Sequence, residues 1–136
     1  MSALVVGIGS RARGDDAVGP EVASRVAGMG LSDVEVVEYG SPLALVEHLA
    51  EHDDVVVVDA TASHGEPGRV RVVQVGATRL PYEPASASSH GIGVAEAVAL
   101  ASSLGRLPRR LTLVGVEASG FEVGAPLSPE VSERLY

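Results

Sequence analysis

Cysteine, lysine and tryptophan are absent from this 136-residue chain, and its aromatics amount to three Tyr and one Phe. Without Cys there is no disulfide scaffold, no Cys-ligated zinc or iron–sulfur site and no cysteine nucleophile. Basic charge is scarce. Ten Arg stand against eighteen acidic residues, for a formal net charge of −8. That balance argues against nucleic-acid binding, because phosphate affinity needs clustered Lys and Arg. The adjacent pair Arg109-Arg110 reads as a solvated strand start. No apolar run approaches the ~20 residues of a membrane helix, and no charged-then-apolar leader precedes the first strand. A cytoplasmic protein without membrane association is therefore expected.

What is present is Val, Ala and Leu, the composition of a buried Val-rich sheet under Ala/Leu helices. The length suits one domain over residues 1–136. Ala3 to Ile8, ALVVGI, is a continuous apolar run bounded by glycines and reads as a buried strand. Ala17, Val18, Val22 and Val26 recur at helical spacing after it, with Asp15 and Asp16 at the helix start and Gly28 and Gly30 at its end. Val34 to Tyr39 predicts a second strand. Ser41-Pro42 then opens a helix over about residues 43–52. Asp54 to Asp59 is a strand built on four Val. Gly65 to Gly68 is a turn, and Arg69 to Val75 a fourth strand. Residues 80–89 predict an ordered loop and residues 91–104 an Ala-rich helix. Leu111 to Glu117 predicts a fifth strand, and residues 126–135 a terminal helix capped by Ser128. Strands alternating with helices predict an α/β fold, a parallel sheet with helices on both faces. The short step between strands three and four predicts one antiparallel member.

Ligands of such sheets collect beyond the C-terminal strand ends, where the winding reverses. The polar residues expected there are Ser10, Arg11, Arg13, Asp15 and Asp16 after strand one, and Asp59, Thr61, Ser63 and His64 after strand three. Ser88, Ser89 and His90 precede the Ala-rich helix, and Glu117 and Ser119 follow strand five. Asp16 and Asp59 share one crevice if strands one and three are neighbours. Gly7, Gly9 and Gly14 do not meet the G-x-G-x-x-G spacing, and no P-loop Lys exists, so a nucleotide site is not expected. Asp59 ends an apolar strand, where a carboxylate must find donors, a metal or a proton. His48, Glu51 and His52 spell H-x-x-E-H, but they sit away from the expected crevice and read as a solvated helix end. A Ser/His/Asp triad lacks its G-x-S-x-G elbow. Two carboxylates and one imidazole make an O/O/N set suited to Zn²⁺ or Ni²⁺, with coordination positions left open.

Taken in order, Gly7-Ile8-Gly9-Ser10, Asp15-Asp16-Ala17-Val18-Gly19, Gly40-Ser41, Asp59-Ala60, Gly65-Glu66-Pro67-Gly68, Ser88-x-His90, Gly115-Val116-Glu117 and Leu127-Ser128-Pro129 resemble the hydrogenase maturation endopeptidases over nearly the whole chain. Ser10, Ala17 and Ala118 stand where that family usually carries Asn, Gly and Pro. The resemblance implies a three-layer α/β/α sandwich, with a five-stranded mostly parallel sheet containing one antiparallel strand. It implies removal of a C-terminal extension from a [NiFe]-hydrogenase large-subunit precursor after nickel insertion. It implies Asp16, Asp59 and His90 as the residues that meet nickel carried by the substrate, with Zn or Cd as stand-ins in crystals and a monomer as the acting unit. The competing expectation is a non-catalytic metal- or partner-binding module of the same fold.

Overall fold

The computed structural model describes residues 3–61, 65–75 and 94–135. The strands are β1 (Ala3–Ile8), β2 (Val34–Tyr39), β3 (Asp54–Thr61), β4 (Val70–Val75) and β5 (Arg110–Glu117). The helices are α1 (Val18–Ala27), α2 (Leu45–His48), α3 (Val94–Ser103) and α4 (Pro129–Ser132). They form one sheet of order β2-β1-β3-β5-β4. β1 pairs in parallel with β2 and β3, and β3 with β5, while β4 runs antiparallel to β5. The α/β architecture with one antiparallel strand is the expected one. β1 and β3 are neighbours, and the chain leaves β1 toward β2 but leaves β3 toward β5, so the winding reverses between them.

Alternating side chains divide the sheet into two faces. Leu4, Val6, Ile8, Val55, Val57, Leu111 and Leu113 pack with Leu45, Leu49, Val94, Val98 and Ala101, so α2 and α3 cover one face. Val18, Ala60, Val116, Ala118 and Val131 form the second layer, beneath α1 and α4. α1 lies unusually close to the sheet. A Cβ on Gly19 would strike the carbonyl oxygen of Val58 at 2.5 Å and the Ile8 amide nitrogen at 2.7 Å. Only glycine permits this approach of backbone to backbone.

Three predicted elements differ by more than one residue at a boundary. The helix expected over residues 43–52 is three short pieces, a 3₁₀ turn Pro42–Ala44, α2, and a 3₁₀ turn Leu49–Glu51. Ser41 still caps it, accepting from the Leu43 N–H at 3.3 Å. The terminal helix begins at Pro129 rather than at residue 126, under the expected Ser128 cap, whose backbone is extended and whose Oγ accepts the Val131 N–H. β3 continues to Thr61, which pairs with Glu117. Asp59 therefore lies inside a strand rather than at its end. The loop expected over residues 80–89 and the first turn expected at 91–93 lie outside the described residues. No helix among the described residues is long and apolar enough to cross a membrane.

Candidate active site

After β1 the chain turns sharply at Gly9, whose φ of +139° is a backbone state that L side chains rarely adopt. A side chain there would also run into the Asp16 backbone carbonyl. The turn brings the Ser10 N–H to Asp16 Oδ2 at 2.8 Å. Asp16 itself sits on a 3₁₀ turn, Gly14–Ala17, that precedes α1. Its carboxylate is half-buried at the C-terminal end of β1.

Asp59 is the neighbouring acid, half-buried on β3, and its Oδ1 accepts the Ala60 N–H at 2.9 Å. Burial pushes its carboxyl up to about 7, the negative charge of Asp16 pushes in the same direction, and the Ala60 N–H opposes both. The structure thus brings two of the three expected acid and imidazole groups together at the reversal point of the sheet. The third, His90, lies outside the described residues, as do Ser63, His64, Ser88 and Ser89.

Asp15 has a different role from its neighbour. It was expected to serve the helix N-terminus, yet neither the 3₁₀ turn nor α1 has a side-chain cap. Instead the carboxylate points inward, 1% exposed. Its Oδ2 accepts the Ser119 N–H at 2.7 Å, the Gly120 N–H at 3.4 Å and the Ser128 hydroxyl at 2.8 Å, while Oδ1 accepts the Ser128 N–H at 2.7 Å. Backbone bonds follow the same path, from Gly14 N–H to Ala125 O, Asp15 N–H to Gly120 O and Gly124 N–H to Ala12 O. The segment after β5 therefore clamps the turn that carries Asp16. Sequence spacing alone could not show this, because the partners lie 104 to 113 residues away.

Glu117 is also structural in its visible contacts. It is 4% exposed and accepts the Glu66 N–H at 2.6 Å, while its backbone bonds Gly68 and Arg69. It holds the turn that leads into β4. Arg11 forks onto Glu38 at 3.1 and 2.8 Å and donates to the Pro20 carbonyl at 3.1 Å, tying the turn after β1 to β2 and α1.

The H-x-x-E-H residues do not converge. His48 Nδ1 meets Glu51 Oε1 at 3.0 Å and its ring stacks on Tyr39 at 5.7 Å. His52 Nε2 lies 3.6 Å from Glu35 Oε1 instead, on the β2 side. The expected solvated helix end holds for His48 and fails for His52, whose side chain is only 12% exposed. The described residues hold no group of three or more His, Cys, Asp or Glu able to ligate a metal.

A sequence model described as hydrogenase maturation protease (HycI) matches residues 20–136. The chain belongs to the hydrogenase maturation protease family. This membership agrees with the resemblance carried by the turn, acid and glycine motifs. One relative is the hydrogenase expression/formation protein HupD of Bradyrhizobium diazoefficiens, 32% identical over 138 residues, covering 97% of this chain and 71% of that protein. The chain spans 62–71% of the length of three HupD relatives. Among solved structures, the hydrogenase maturating endopeptidase HybD from Escherichia coli matches with a TM-score of 0.76 at 25% identity, covering 99% of this chain and 85% of that one. The [NiFe] hydrogenase maturation protease HycI from Thermococcus kodakarensis matches with a TM-score of 0.75 at 28% identity, over 98% and 85%. The maturation protease family is a family of peptidases, so the two adjacent acids belong to a hydrolase scaffold.

Proposed function

We propose that this protein is the endopeptidase that removes the C-terminal extension of a [NiFe]-hydrogenase large-subunit precursor once nickel is in place. The observation that carries this reading is the pairing of Asp16 and Asp59 at the reversal point of the sheet, where burial first and the Asp16 charge second hold a proton on Asp59. Two such carboxylates lower their mutual repulsion by sharing a divalent cation. The cation is the substrate's own nickel. Asp16 and Asp59 supply oxygen ligands and His90 an imidazole, a set that suits Ni²⁺ and leaves positions for the precursor's own groups. Nickel met in this way checks that the precursor is loaded and positions the scissile bond. The bound cation would polarise the scissile carbonyl or its bound water, or a carboxylate freed of its proton would take a proton from the attacking water, which adds to the carbonyl as the amide nitrogen leaves protonated. Zn²⁺ or Cd²⁺ would occupy the same set. The reading includes action as a monomer in the cytoplasm, where such a precursor is synthesised.

The test is cleavage of purified nickel-loaded precursor by the parent and by Asp16→Ala, Asp59→Ala and His90→Ala. The parent is expected to cleave. Each variant is expected to fold, by circular dichroism, and to lose cleavage. Retention of cleavage by Asp59→Ala would sink the assignment. A parent that binds loaded precursor without cutting it would establish the non-catalytic module of the same fold instead.

A further inference from the structure

The edge of the sheet carries three features that the paired acids do not use. β4 hydrogen-bonds only to β5 among the described residues, so alternate N–H and C=O groups of Val70–Val75 face outward without a strand partner. Asp59 pairs with Gly115, and Gly115 with Arg71, which places Asp59 and Arg71 in one row across β3, β5 and β4. They lie on the same face, since Arg71 keeps the parity of Val73 and Val75, the register partners of Leu113 and Leu111. Two strand spacings separate them, about 10 Å between Cα atoms. Gly115 puts no side chain between them, and the Thr61 methyl fills the space a Cβ would need.

Arg71 is exposed, and among the described residues it makes no ion pair or hydrogen bond. Other arginines are engaged, Arg69 with Glu66, Arg110 with Asp54 and Arg11 with Glu38. On the opposite face of the same strand Val70 and Val72 are 45% and 63% exposed. Among the described residues, an edge without a strand partner, a cation without a partner and two flanking exposed valines together describe the complement of one strand-forming peptide. Its backbone completes the ladder, and its side chains alternate between the faces.

We propose that the outer edge of β4 docks an extended segment of the precursor in which a carboxylate is flanked by apolar residues. Arg71 receives the carboxylate on the Asp59 side of the sheet, and Val70 and Val72 receive the apolar neighbours on the other side. The inference deepens the maturation reading and rests on it. In that arrangement the docked strand runs three strand positions from β3, with β5 and β4 between, and Arg71 sets specificity without touching the reacting bond.

The experiment uses the full chain, labelled with ¹⁵N, and a capped peptide of sequence Ser-Val-Glu-Val-Ser, with a Gln version as control. The Glu peptide is expected to shift and protect the outward amides of β4. The Gln peptide should bind about tenfold more weakly, as should the Glu peptide to Arg71→Gln. A Gln peptide with a free C-terminus that regains affinity assigns the carboxylate to a chain end rather than a side chain. With nickel-loaded precursor, Arg71→Glu should raise KM about tenfold at unchanged kcat. Equal binding of the Glu and Gln peptides, or shifts away from β4, would overturn the proposal. So would β4 protection that appears on concentrating the protein alone, which would mean pairing between copies of this chain. If Asp59→Ala abolishes cleavage while Arg71→Glu cleaves like the parent, the docking inference fails and the maturation reading stands. If Asp59→Ala cleaves normally, the maturation site itself is wrong.

Discussion

Two adjacent aspartates, Asp15 and Asp16, do different work because one is buried against the segment after β5 and the other is half-buried against the Ser10 N–H. Asp15 is fully buried and accepts four hydrogen bonds from the segment after β5. Its truncation in Asp15→Ala leaves the Ser119 and Ser128 N–H groups without their acceptor. Urea unfolding should show a loss of about 3 kcal/mol or more, whereas Ser128→Ala should cost about 1 kcal/mol by removing one hydroxyl and a cap. Asp59 carries a different signature. Its carboxyl is raised from 3.8 to about 7 in the fold. Between those values the unfolded chain has lost this proton and the folded chain keeps it. This group therefore contributes a fall in stability with rising pH, at a slope approaching about 1.4 kcal/mol per pH unit, that levels off above about 7. Asp59→Asn should remove that component, so a comparison of urea midpoints from pH 4 to 8 should show the parent losing ground to the variant. Parallel pH curves for the two proteins would contradict the burial argument.

Among the elements, α1 is the one whose placement decides the site. It follows directly from the Asp16 turn and presses on β1 and β3 through Gly19. Gly19→Ala inserts a methyl where three backbone atoms already stand, so α1 must lift. A destabilisation of about 1–3 kcal/mol is expected by urea unfolding, together with weakened cleavage, because the lifted helix carries the Asp16 turn with it. The elements were legible in outline because Val runs and 3.6-residue spacing are local signals. The four Val before Asp59 announced β3, and Ser128-Pro129 announced the start of α4. The break of the second helix into three pieces was not legible. Leu45 and Leu49, 1% and 0% exposed, are an i,i+4 pair that a regular helix would bury equally well, so the packing of these two side chains does not explain the break. The continuation of β3 past Asp59 was not legible either, since it depends on pairing between Thr61 and Glu117.

For the whole molecule, the order β2-β1-β3-β5-β4 gathers the Asp16 turn and Asp59 at one end of the sheet. A divalent cation that binds there stabilises the folded state only, because the unfolded chain does not hold the two acids together. With Cd²⁺ at a hundredfold excess over its Kd, the unfolding free energy should rise by about 2.7 kcal/mol. Scanning calorimetry should show the rise in the parent and not in Asp59→Asn. The same rise in both proteins would place the cation elsewhere.

By itself the sequence determined the alternation of elements, the apolar strands and the turn glycines, and it nominated Asp16 and Asp59, because each rests on residues close together in the chain. Family membership was legible for the same reason, as a series of short motifs in order. Only the tertiary structure decided that Asp15 is a clamp and Asp16 a neighbour of Asp59. It also separated His48 from His52 and aligned Arg71 with Asp59 across Gly115. These relations join residues brought together by strand order and register, and no local spacing in the chain encodes where two distant strands will meet.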